Sequence, residues 1–170
     1  MTMPEITPFS AAATDRRRFV GALLLLPSVI ATPVSARISI PTVLFVCRYG
    51  SVKSPITREL FRRRASQRGV RVQAFSRGLQ PEANLGDALR AVVAADGIDP
   101  DRDGLHRLTR RDLRRADIAA VFDPLPPGMA ARILHDWTDI GSFEQAYASE
   151  APKVMARIDL LLDGIAARTP

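Results

Sequence analysis

The run Thr42-Val43-Leu44-Phe45-Val46-Cys47 is continuous, apolar and rich in β-branched residues, and it breaks at once into a polar turn containing Gly50. A run of this kind is the pattern of a strand buried on both faces, as in a parallel sheet covered by helices. Ser54-Pro55 follows as a helix start, with a capping hydroxyl and a proline at the first helical position. Ile56, Leu60 and Ala65 fall near one face of that helix, and Gly69 ends it.

The same alternation continues along the chain. Val70 to Ser76 reads as a second strand, and Leu85, Leu89, Val92 and Val93 stripe a helix that Gly97 terminates. Thr109 caps a short basic helix that leads into a third strand, Ile118 to Phe122. Asp123 to Gly128 is a loop, Arg132 to Trp137 a fourth strand, and Val154, Ile158, Leu161 and Leu162 mark one face of a C-terminal helix. Strands alternating with helices predict an α/β domain with a four-stranded parallel sheet and helices on both faces.

With 170 residues there is room for one such domain and not two ordinary ones. Residues 1–36 read as a separate address. Consecutive arginines in Asp15-Arg16-Arg17-Arg18-Phe19 precede a short apolar run from Val20 to Ala31, and Val34-Ser35-Ala36 supplies small residues for cleavage. The pattern is similar to a twin-arginine export signal. The expected domain is therefore 37–170, folded before export by the twin-arginine machinery, periplasmic or extracellular, and touching a membrane only through the signal.

Residues 37–170 keep 21 Lys+Arg against 16 Asp+Glu, a formal +5. The basic residues, among them Arg62, Arg63, Arg64, Arg110, Arg111, Arg114 and Arg115, lack interleaved aromatics. They read as solvated helix faces, so no nucleic-acid partner is expected. A single cysteine rules out an intramolecular disulfide, and His106 and His135 lie far from any metal-ligand spacing. No cofactor or metal is expected.

That cysteine sits where chemistry is easiest. A turn between a buried strand and a helix N-terminus aims backbone N–H groups and the positive end of the helix dipole at one point, and anions bind there. Arg48, Tyr49, Gly50, Ser51, Val52, Lys53 and Ser54 would form that cradle around Cys47, with the same field favouring a thiolate. Gly50 lets the backbone approach the anion, Lys53 adds positive charge, and Ser54 can cap the helix or donate to the sulfur. An inert core cysteine would need none of these neighbours.

The low-molecular-weight tyrosine phosphatases and their arsenate-reductase relatives open with an apolar strand followed by Cys-x5-Arg-Ser-Pro, and Cys47-x5-Lys53-Ser54-Pro55 resembles that motif. Ser76-Arg77-Gly78, His106-Arg107-Leu108-Thr109 and Ala116-Asp117 resemble later segments of the same family. The resemblance implies the phosphotyrosine phosphatase I-like fold and hydrolysis of phosphomonoesters, on a protein or a small anion, through a phosphocysteine. It makes Cys47 the nucleophile, Lys53 the charge on the equatorial oxygens and Asp139 the general acid, with Asp136 as runner-up and Asp123 one loop too early. Two departures stand out: lysine replaces the family's arginine, and Asp139 precedes Ile140 where the family has proline. The rival readings are an arsenate reductase served by an external thiol, and an anion-binding module weakened by Lys53.

Overall fold

The computed structural model describes residues 40–168, so the signal-like segment 1–36 lies outside the described residues. The strands are β1 (Thr42–Cys47), β2 (Gln73–Gly78), β3 (Ile118–Val121) and β4 (Leu134–Asp136). The helices are α1 (Lys53–Gln67), α2 (Asp87–Ala95), α3 (Arg110–Arg115) and α4 (Phe143–Ala166). All four strands pair in parallel, in the order β2-β1-β3-β4. The expected α/β domain with a four-stranded parallel sheet is the one observed.

β1 is buried at every position because the sheet is covered on both faces. On one face Val43, Phe45 and Cys47 pack with Ile56, Phe61 and Ala65 of α1, Leu89 and Val93 of α2, and Val154, Ile158 and Leu162 of α4. On the other, Leu44 and Val46 meet Leu108, Leu113 and Val121, so α3 covers that side. The chain leaves β1 through α1 to one neighbour, β2, while β3 lies on the other side. A crevice forms outside the carboxyl ends of the strands where the order reverses in this way. Cys47 ends β1 at that crevice.

Several expected boundaries shift. The second strand runs from Gln73, because Val70 packs at the core edge while Gly69, at φ +66°, turns the chain after α1. Val92, placed on the inner stripe of α2, is half exposed; Leu89 and Val93 alone carry that face inward. Thr109 caps α3 through a reciprocal capping box with Asp112, as read. Ser54 does not cap α1, which begins one residue earlier without a side-chain cap. Its hydroxyl has another use.

The arginines of α1 are less solvated than their spacing implies. Arg58 is fully buried, donating to Glu59 Oε1 at 2.9 Å, Ser76 Oγ at 3.0 Å and the Pro100 carbonyl at 3.2 Å. It ties α1 to β2 and the loop after α2. Arg62 bridges Glu59 and Asp103, and Arg64 reaches Asp159 of α4 at 2.7 Å. Hydrogen bonds from Arg62 hold the Asp103 carboxyl below its ordinary range, and those from Arg64 do the same for Asp159. Carboxyls depressed in the fold add stability above their unfolded values, near pH ~4, and lose it as pH falls through the folded ones. The melting temperature is therefore expected to stay level from about pH 7 to 5 and to drop below about pH 4. A level profile down to strong acid would show these pairs to be energetically idle.

Candidate active site

The loop after β1 closes on its own sulfur. Cys47 is 4 % exposed, and its Sγ accepts the Gly50 N–H at 3.2 Å and the Ser54 N–H at 3.4 Å. Ser54 Oγ lies 3.1 Å from the same sulfur, with the Arg77 carbonyl as a second acceptor at 3.4 Å. That is why Ser54 is no helix cap: the residue is fully buried and its hydroxyl lies against the sulfur. The backbone N–H groups of Tyr49, Ser51, Val52 and Lys53 meet no acceptor among the described residues. Unsatisfied donors wrapped around a helix start are what a bound anion completes.

Two glycines make the loop possible. Gly50 has φ +72°, in the left-handed region that side chains resist. A Cβ on Gly50 would sit 2.8 Å from the backbone of Gly78, and one on Gly78 would sit 2.8 Å from the Tyr49 carbonyl. The cradle thus rests directly against the end of β2. Ser51 Oγ donates to Asn84 Oδ1, and the Asn84 N–H returns to Ser51 Oγ at 3.4 Å, bracing the loop against the segment before α2.

Cys47, Arg48, Tyr49, Val52 and Lys53 line a cavity of about 320 Å³ with Asn84, Asp123, Ile140, Gly141, Ser142, Phe143 and Glu144. A larger hollow of about 630 Å³ lies against Ile40, Val70 and Gln73, toward the start of β2, and contains no cysteine. Lys53 is half-buried and does not swing into solvent. Its Nζ donates to the Ile140 carbonyl at 3.3 Å and lies 5.4 Å from the Phe122 ring centre. Arg48 is exposed, with its guanidinium over the Tyr49 ring and its N–H given to Asp123 Oδ2 at 2.8 Å.

The structure gathers Cys47, Lys53 and the loop residues, but does not bring Asp139 to them. Asp139 pairs with Arg157 through both carboxylate oxygens, at 2.8 and 2.5 Å, and does not line the cavity. Hydrogen bonds from Arg157 hold its carboxyl below the ordinary range, so it is ionised in this arrangement. Asp136 is held low by Thr138, whose N–H reaches it at 2.9 Å, and it lines a different hollow beside Leu134. The carboxylates that do line the cavity are Asp123 and Glu144. Asp123 precedes a proline, lies two residues beyond the end of β3 and shares the cavity lining with Cys47; Glu144, Asn84 and Gly78 carry no role in the sequence reading. Glu144 carried no signal, being one acidic residue in the first turn of a helix. Trp137 and Phe143 are core residues, as their types imply, and Phe143 also walls the cavity.

Residues 42–125 match the family model for low molecular weight phosphotyrosine protein phosphatase. No protein of curated function matches significantly. Among solved structures, YfkJ from Bacillus subtilis is similar at a TM-score of 0.62 and 19% identity, over 79% of this chain and 99% of that one. A low molecular weight protein tyrosine phosphatase from T. tengcongensis is similar at 0.59 and 19%, over 73% and 99%. A thioredoxin-dependent arsenate reductase from Corynebacterium glutamicum is similar at 0.55 and 21%, over 76% and 63%. At these identities the structural likeness speaks for the fold, and the matched segment runs from β1 through the cradle to the loop after β3. Over residues 42–125, just under half of its length, the chain is similar to the low molecular weight phosphotyrosine protein phosphatases.

Proposed function

We propose that this chain is a cysteine-dependent hydrolase of phosphomonoesters. The observation that carries the reading is the cradle itself: a buried sulfur receiving two backbone N–H groups, inside a loop whose Tyr49, Ser51, Val52 and Lys53 amides lack acceptors among the described residues. A tetrahedral oxyanion seated there would present its central atom to Cys47 Sγ. The sulfur attacks phosphorus, the ester oxygen departs, and water then hydrolyses the phosphocysteine to free phosphate and regenerate the sulfur. Loop amides and Lys53 balance charge on the equatorial oxygens. Asp139 can protonate the leaving oxygen only once its pair with Arg157 opens. Esters whose leaving group needs no proton, such as p-nitrophenyl phosphate, should therefore be the best substrates, and hydrolysis of that ester by the purified chain tests the proposal. Phosphate release no faster than the uncatalysed rate would end it.

Lys53→Arg should raise kcat/KM for the same ester by roughly tenfold, because a guanidinium grips two oxygens in a fixed fork while an ammonium is a point charge. Unchanged kinetics would mean that the loop is shaped for a different anion. Arsenate reduction is the second reading, since the cradle accepts a tetrahedral oxyanion of either element. Cys47 is the sole cysteine, so an external thiol would have to resolve its arsenic adduct. Arsenite formation that depends on added thiol distinguishes it. Export by residues 1–36 as a twin-arginine signal, and a periplasmic or extracellular site of action, belong to the same proposal and rest on the sequence.

A further inference from the structure

The cavity above Cys47 is walled by two carboxylates as well as two cations. Asp123 accepts the Arg48 N–H at 2.8 Å, and Glu144 accepts the Gly86 N–H at 2.9 Å. Each is oriented by a backbone donor, and neither pairs with a lysine or arginine among the described residues. Asp103, Asp112, Asp139, Asp159 and Glu150 all do. Gly86 is shaped to its partner: a Cβ there would lie 3.0 Å from Glu144 Oε2.

The charges of the lining cancel, with Arg48 and Lys53 (+2) against Asp123 and Glu144 (−2). An ionised Cys47 makes the sum −1, and a phosphate monoester dianion would take it to −3. Loop amides absorb part of that charge at the phosphate, yet they do nothing for the alcohol half of an ester beside Asp123 and Glu144. A neutral or anionic alcohol half leaves the two carboxylates uncompensated or opposed, whereas a cationic one compensates them.

We propose that this cavity selects phosphomonoesters whose alcohol half carries a cationic group, an ammonium or guanidinium, and that Glu144 sets the preference. The inference rests on the phosphate-cradle reading and adds the substrate class to it.

The test reads binding and not turnover. In the full chain, alkylation of Cys47 by iodoacetamide is followed in the presence of inorganic phosphate and of three benzylphosphonates of similar size, bearing 4-aminomethyl, 4-ethyl or 4-carboxyl groups. The aminomethyl compound should protect at about one-fifth of the concentration that the ethyl compound requires, and the carboxyl compound should be weakest. In Glu144→Gln, which keeps the shape and an acceptor for Gly86, the preference should shrink to about twofold, and Glu144→Lys should reverse it. Inorganic phosphate, which has no alcohol half, reports on the cradle in each variant. Protection with no charge order in the native chain overturns this inference and leaves the cradle standing. A charge order unchanged in both variants overturns the role of Glu144. Failure of phosphate and all three phosphonates to protect overturns the cradle itself, and the inference with it.

Discussion

Replacing Cys47 by serine will take hydrolysis of p-nitrophenyl phosphate to background while phosphate binding survives. The variant changes one atom, and the backbone donors from Gly50 and Ser54 still surround an oxygen that can accept from them. What it removes is the proposed nucleophile. A hydroxyl needs a base to become one, and neither histidine can serve. His106 is exposed with Nε2 on the Asp103 carbonyl, and His135 lies on β4, where burial and then Arg168 push its pKa down; neither lines the cavity. The expected loss is on the order of 10⁴-fold or more. Phosphate affinity, measured by calorimetry, should change by less than about threefold, since the amides and Lys53 are untouched. A serine variant that keeps a tenth of the activity would place the chemistry elsewhere. One that loses phosphate binding as well would mean that the sulfur holds the loop together, in addition to or in place of attacking.

The strand–loop–helix unit around Cys47 was legible because every local signal pointed the same way: an apolar run, a glycine, a cation and a proline-bearing helix start within fourteen residues, 42–55. The parallel sheet followed from alternation alone. What stayed hidden depends on contacts distant in sequence. The burial of Arg58 needs Ser76 of β2 and the turn carrying Pro100 and Asp103 to converge from two later segments, and in isolation a basic residue on a helix reads as solvated. The choice of Ser54 between capping and serving the sulfur turns on the position of the Arg77 carbonyl at the end of β2. The far wall of the cavity was hardest. Asp139 stands ahead of Asp136 by its distance from α4, yet it is claimed by Arg157, itself 5.9 Å from the Trp137 ring centre, while the exposed Asp136 accepts the Thr138 N–H. Glu144 faces the cavity only because Gly86 of another loop offers it an N–H.

Gly50→Ala should cost the fold about 3 kcal/mol and abolish phosphate protection of Cys47, a larger effect than its single methyl group implies. Part of the cost is local, since at φ +72° an L-residue is disfavoured by about 1–2 kcal/mol. The remainder comes from Gly78, whose N and Cα lie 2.8 Å from where the new methyl would stand. Those atoms are backbone held in register with Cys47 across the β1–β2 ladder, so no side-chain rotation relieves the contact. The loop must lift, and when it lifts the Gly50 N–H leaves the sulfur and the amides on either side lose their common focus. Gly69→Ala is the matched control. It has nearly the same φ, +66°, but nothing lies within 4 Å of its Cβ position, so it should show only the local strain and retain phosphate protection. Chemical denaturation of both variants, with alkylation of Cys47 in the presence and absence of phosphate, separates the two terms. Equal destabilisation with phosphate protection intact in both would mean that the contact between the cradle and β2 is not what shapes the anion site.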